Sequence, residues 1–174
     1  MAPISSRDVP REGTALHLHH HMLLHQPWAS WVAEGRLPFL VRTQAAPVRG
    51  WEGVFATLRF DALAGASPLL KDLPKLAVVG AVWISESIPV PENTPVLTVL
   101  TRRFGRRLAS FHPANYLPTQ AGRWVYVWVL GASVRAKTPK RITMRKYPWV
   151  WMKRDVEITV GDACDMSYAK AVRR

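Results

Sequence analysis

Leu23-Leu24-His25-Gln26-Pro27-Trp28-Ala29-Ser30-Trp31-Val32-Ala33-Glu34-Gly35 is the stretch on which the reading of this chain turns. The two leucines close a strand of unusual, histidine-rich composition that starts at Ala15. Pro27 has a fixed φ and no N–H, so it suits the first turn of a helix. That helix spans Pro27 to Glu34, and Gly35 suits its C-terminal cap.

Working outward, Phe39-Leu40-Val41 is a short apolar strand that ends at Arg42. Gly53 to Phe60 and Leu76 to Ile84 follow as strands. Residues 61–75 read as a loop or weak helix, punctuated by Gly65, Pro68 and Pro74. Val96 to Ser110 can form a helix with Arg102, Arg103, Arg106 and Arg107 crowded at one end, a possible phosphate-contacting ridge. Residues 113–122 are a loop, and Val156 to Val160 is a last strand. No internal repeat is visible. Several short strands with one or two short helices predict a small, barrel-like α+β domain. Its expected bounds are 15–160, between a loose N-terminal tail (1–14) and a polar C-terminal tail (161–174).

Trp124-Val125-Tyr126-Val127-Trp128 and Tyr147-Pro148-Trp149-Val150-Trp151 place an aromatic residue at every second position. Alternate residues of a strand share a face, so each run forms an aromatic stripe. The segment between them carries Arg135, Lys137, Lys140, Arg141, Arg145 and Lys146 and no acid, and it is expected to be a solvated connection. Rings beside a positive field suit a nucleic acid, since bases stack while cations neutralise phosphates. The alternative is that both stripes are barrel core.

The charge distribution favours a polyanionic partner. The chain carries 24 Lys+Arg against 12 Asp+Glu, a net of +12. Residues 1–99 hold eight basic and eight acidic residues, so the whole excess lies in residues 100–174, with sixteen against four. Such asymmetry points to nucleic acid or an anionic surface. A membrane partner is disfavoured, because no apolar run approaches the ~18 residues of a spanning helix. Cys164 is the only cysteine, which rules out an internal disulfide and a multi-thiolate zinc site. The opening residues are polar and lack the pattern of a secretory signal, and a reducing, cytoplasmic compartment is expected.

The Gln26-Pro27-Trp28-Ala29 turn, with its strand, helix and glycine, resembles the opening of an ASCH domain. Weaker matches follow in order at Arg49-Gly50-Trp51 to Ala56, Val79-Gly80-Ala81-Val82, Trp124 to Leu130 and Pro139-Lys140-Arg141-Ile142, covering roughly residues 22–152. The resemblance implies a PUA-like β-barrel and a role in RNA binding or RNA processing. The family motif Gly-x-Lys-x-x-Glu-x-Arg falls on Gly35 to Arg42. Gly35 and Arg42 match, but Leu37 stands where lysine is expected and Leu40 where glutamate is. In the branch that hydrolyses acetylated cytidine, those positions are lysine and threonine. A leucine neither transfers a proton nor attacks, so no catalytic residue is assigned.

The residues expected to hold nucleic acid are therefore Gln26, Trp28, Arg36, Arg42, Arg49, Lys140, Arg141, Arg145 and Lys146. Trp28 would stack a base and Gln26 would hydrogen-bond a base edge. Of the acids, Glu52 and Glu86 are those expected nearest the cleft, without an assigned role. His17, His19 and His21 alternate and should share one face of their strand. Same-face neighbours lie nearly 7 Å apart, which makes a three-histidine ion site awkward, and no metal or cofactor is assigned. The expected function is binding of RNA or single-stranded nucleic acid with no evident catalysis. The alternatives are an RNA-processing hydrolase, whether nucleoside amidohydrolase or ribonuclease, or a reader of one modified base in an aromatic pocket.

Overall fold

The computed structural model describes residues 8–47, 49–60, 72–91, 94–105, 125–143 and 151–165. Their elements are β1 (Ala15–Gln26), α1 (Trp28–Ala33), β2 (Phe39–Arg42), β3 (Gly50–Phe60), β4 (Ala77–Val90), α2 (Val96–Phe104), β5 (Val125–Arg141) and β6 (Trp151–Asp165). The sheet order is β2-β5-β4-β3-β1-β6, and β5 also pairs with β6. That last pairing closes β5, β4, β3, β1 and β6 into a ring, with β2 attached outside on β5. The fold is thus α+β, a ring-like sheet carrying two short helices.

Side-chain alternation sorts the apolar residues into an inside and two outer layers. Leu18, Leu23, Phe55, Val78, Ala81, Val134, Ala136, Met152, Val156, Ile158 and Val160 pack into one cluster drawn from all five ring strands and from no helix. This is the interior. A second cluster joins Met22, Leu24, Val54, Val82, Ile84, Trp128 and Leu130 to Ala29, Val32 and Ala33 of α1. Helix α1 therefore covers the outer face of β1, β3, β4 and β5. Burying Val32 alone contributes roughly 1.5–3 kcal/mol. The close seat depends on Gly80, where a Cβ would lie 2.2 Å from the Val134 carbonyl oxygen and 2.8 Å from the Ala33 Cβ. Helix α2 covers a third cluster, where Phe104 stacks on Phe39 with centroids 4.6 Å apart.

Helix α1 stops as its sequence requires. Gly35 has φ 72°, and Gly35 N–H and Arg36 N–H donate to the carbonyls of Val32 and Trp31. Helix α2 is shorter than expected. Gly105, at φ 81°, ends it after Phe104, so Arg102 and Arg103 form its last turn. Arg106 and Arg107 lie outside the described residues, and the four-arginine ridge is not a feature of this helix.

The largest departure is β5. The stretch after Leu130, expected to be a solvated connection, continues as strand through Arg141. Ala132, Val134 and Ala136 are buried while Arg135 and Lys137 are exposed, a two-residue alternation that the charges obscure. Contacts also extend past the strands read from the sequence at both ends. Gly13 N–H donates to Val160 O, Val160 N–H donates to Thr14 O, and Val9 packs on the interior cluster, so residues 9–14 are docked rather than loose. At the other end β6 runs to Asp165, pairing Ala163, Cys164 and Asp165 with Val134, Ser133 and Ala132.

Candidate nucleic-acid interface

The rim of α1 is built from Gln26, Trp28 and Trp31. Gln26 is fully buried. Its Nε2 donates to Pro74 O at 2.6 Å, and its Oε1 accepts from Ser30 N–H at 3.2 Å. Both ends of the amide are occupied, so Gln26 ties α1 to the segment before β4 and is not free to read a base edge. Trp28 is half-buried. It meets Trp31 edge to face at 4.9 Å, and both rest on the cluster beneath α1.

Arg42 ends β2 opposite Tyr126. It is half-buried, donates to Leu23 O at 3.3 Å and lies 5.5 Å over the Trp128 ring. Burial lowers its pKa to about 10, which leaves it protonated at neutral pH. Trp128 is fully buried; its Nε1 donates to Gln44 O at 3.0 Å, and its ring stacks on half-buried Trp151 at 4.9 Å. Trp128 is thus core, while Tyr126 and Trp151 are half-buried at its margin. Trp124, Tyr147 and Trp149 lie outside the described residues. Leu37 and Leu40 are buried in the same cluster, so neither position presents a polar group.

Glu52 lies on this same outer face. It pairs with Val82 and shares its side of β3 with Val54, both members of the cluster. Its side chain is 1% exposed, and among the described residues neither oxygen has a hydrogen-bond partner. Burial pushes its carboxyl up to about 8. Val82 in turn pairs with Ser133, whose buried hydroxyl is also unpartnered among the described residues. Sequence alone identified Glu52 as an acid near the cleft without a role, and it passed over Ser133. The signal for Glu52 was its place in the alternation with Val54 and Ala56.

The expected cations separate into groups. Arg36 is exposed and pairs with Glu34 at 2.8 Å, and Arg49 is exposed just before β3. Lys140 and Arg141 are exposed at the end of β5, opposite Val78 and Ala77. Arg135 and Lys137 are exposed on the same strand, and none of these four has an acidic partner among the described residues. Arg145 and Lys146 lie outside the described residues. Arg103 is engaged by Glu86 at 2.8 Å. Lys140 lies fourteen positions along β5 from Tyr126, the partner of Arg42, or about 45 Å of extended strand before coiling. The structure therefore does not gather Arg42 and Lys140 into one cleft. It offers four exposed cations over the second half of β5, with the successive residues Lys140 and Arg141 on opposite faces, and an aromatic, Arg42-bearing site at its start.

The histidines do not share a face. A register shift between Leu18 and His20 turns the strand. His17 and His19 stay exposed and pair with Glu157 and Asp155 of β6, whereas His21 points inward, fully buried, against Gly53. His21 Nε2 lies 2.8 Å from Arg154 O, and burial lowers its pKa. Among the described residues no group of three or more His, Cys, Asp or Glu side chains is placed to hold a metal. No helix among them is long and apolar enough to cross a membrane.

With this geometry in view, known structures identify the fold class. The crystal structure of the ASCH protein from Zymomonas mobilis matches with a TM-score of 0.54 at 13% identity, over 78% of this chain and 86% of its own. A serine-to-alanine variant of that protein gives 0.52 at 12% identity, over 78% and 87%. The chain has an ASCH-type fold. At these identities the likeness concerns the fold alone. No protein-family model matches the sequence, and no curated protein matches it.

Proposed function

We propose that this domain binds RNA or another single-stranded nucleic acid and carries out no chemistry on it. The observation that supports this best is the set of cations Arg135, Lys137, Lys140 and Arg141, exposed on β5 without an acidic partner among the described residues. It belongs to the half of the chain that holds the entire excess of +12. Phosphates meeting such cations displace condensed counterions, which supplies sequence-independent affinity. Trp28, half-buried at the α1 rim, is the candidate for stacking a base. A hydrolase of the type the motif suggests would need polar side chains at positions 37 and 40, where this chain buries two leucines.

The test is fluorescence anisotropy with a labelled single-stranded oligonucleotide at about 50 mM salt. The combined variant R135Q/K137Q/K140Q/R141Q should weaken binding by at least tenfold while its melting temperature stays near wild type. Unchanged affinity in a folded variant would remove β5 as the binding face.

A further inference from the structure

His17 and His19 take no part in the proposed nucleic-acid binding, yet β6 gives them a specific setting. Both point to solvent, because Leu18 between them packs in the interior. On β6 the same alternation puts Val156 inside and leaves Asp155 and Glu157 exposed. The register sets these side chains face to face: His17 pairs with Glu157, and Leu18 pairs with Val156. The result is a block of four donors on one solvent face, with two imidazoles on the first strand and two carboxylates on the last. His17 Nε2 lies 3.0 Å from Glu157 Oε2, and His19 Nδ1 contacts Asp155 Oδ1.

Stability does not account for such a block, since exposed ion pairs contribute little to it. Nor does composition. Residues 100–174 hold only four acids, Asp155, Glu157, Asp162 and Asp165, and two of the four stand opposite the two outward histidines. Chelation fits the geometry better. Atoms bound about 2.0–2.1 Å from one zinc ion, at angles of roughly 90–110°, lie roughly 2.8–3.4 Å from one another. The 3.0 Å between His17 and Glu157 falls in that range. Same-face neighbours of a strand are rooted nearly 7 Å apart, a gap that two imidazoles close by leaning together. As they stand the four donors form two separate pairs. All four are exposed, so their side chains can rotate onto one ion.

We propose that His17, His19, Asp155 and Glu157 bind one divalent transition-metal ion of the zinc class across the β1–β6 seam. Imidazole nitrogen suits zinc, copper and nickel, whereas magnesium and calcium take oxygen ligands. The two carboxylates neutralise the dication, and the bound ion ties the first strand to the last.

The experiment is titration calorimetry and thermal melting of the full chain, carrying no affinity tag, with zinc chloride near neutral pH. One zinc ion should bind per chain and raise the melting temperature, and magnesium chloride should do neither. Losing even an outer-shell partner costs roughly 10–100-fold in metal affinity, so His19→Ala and Asp155→Asn should each weaken zinc binding by at least about tenfold. Both residues are exposed, so the metal-free melting temperatures should stay near wild type. His20→Ala and Cys164→Ser, which change nearby or thiolate donors outside the block, should bind zinc as the wild type does. No zinc binding, equal binding of magnesium, two ions per chain, or wild-type affinity in both His19→Ala and Asp155→Asn would each overturn the assignment. Should either variant melt early without metal, His17→Ala and Glu157→Gln make the same comparison at the neighbouring pair.

Discussion

Glu52→Gln should make this protein more stable at neutral pH, and by an amount that varies with pH. In the folded chain the Glu52 carboxyl is driven from its ordinary 4.5 up to about 8, and the cause is burial. Between those values the unfolded chain gives up the proton and the folded chain keeps it. Fewer protons are then bound in the unfolded state, so wild-type stability falls as pH rises from about 4.5 to about 8 and levels off above. Each pH unit in that window is worth about 1.4 kcal/mol, so the cost at pH 7 is about 3 kcal/mol. Glutamine keeps the shape and a buried polar group but cannot ionise, so the comparison isolates the charge. In a chain of this size the gain corresponds to a melting temperature higher by roughly 6–12 °C at pH 7. Circular dichroism melts at pH 4.5, 6, 7 and 8.5 would read it. The two proteins should nearly coincide at pH 4.5 and separate as pH rises. A constant gap at every pH, or none, would refute the argument that Glu52 is buried in its neutral form.

Other expectations concern the residues that hold the site together. Gln26→Ala leaves Pro74 O and Ser30 N–H without their partner and should cost about 1–3 kcal/mol in urea unfolding. Gly53→Ala places a Cβ 2.0 Å from His21 Nδ1, so it should unfold the domain or sharply lower its melting temperature. Trp28→Ala should cost roughly 1–3 kcal/mol of oligonucleotide affinity if a base stacks there. If Trp28 serves only to cover α1, the variant should instead melt early while its folded fraction binds normally. Acetylated cytidine incubated with the protein should remain intact by chromatography, since positions 37 and 40 are buried leucines.

The fold was legible where one local signal decided each element. Pro27 and Gly35 bracket α1 by backbone constraint alone, and the strand–turn–helix they define is the part that resembles an ASCH domain. The length of β5 was not legible in the same way. Its inward residues after Leu130 are alanine, valine and alanine, a faint period beneath conspicuous charges. The split histidines depend on a bulge between Leu18 and His20, which no residue type announces. Gln26 looked like a rim residue because it adjoins the helix, yet its hydrogen bonds reach forward to Pro74, a contact set by tertiary structure. The same reason hid the distance between Arg42 and Lys140. Sequence supplied the cations, but only the continuous β5 shows that they lie at its opposite ends.

The most direct test of the central claim is the salt dependence of single-stranded RNA affinity between roughly 50 and 200 mM. Four phosphate contacts at Arg135, Lys137, Lys140 and Arg141 imply a log–log slope near −3, at about −0.7 per contact for a single strand. The account expects a slope of that size, lowered by somewhat under one unit for each of the four cations replaced with glutamine. A flat salt response, or no binding at the lowest salt, would contradict it.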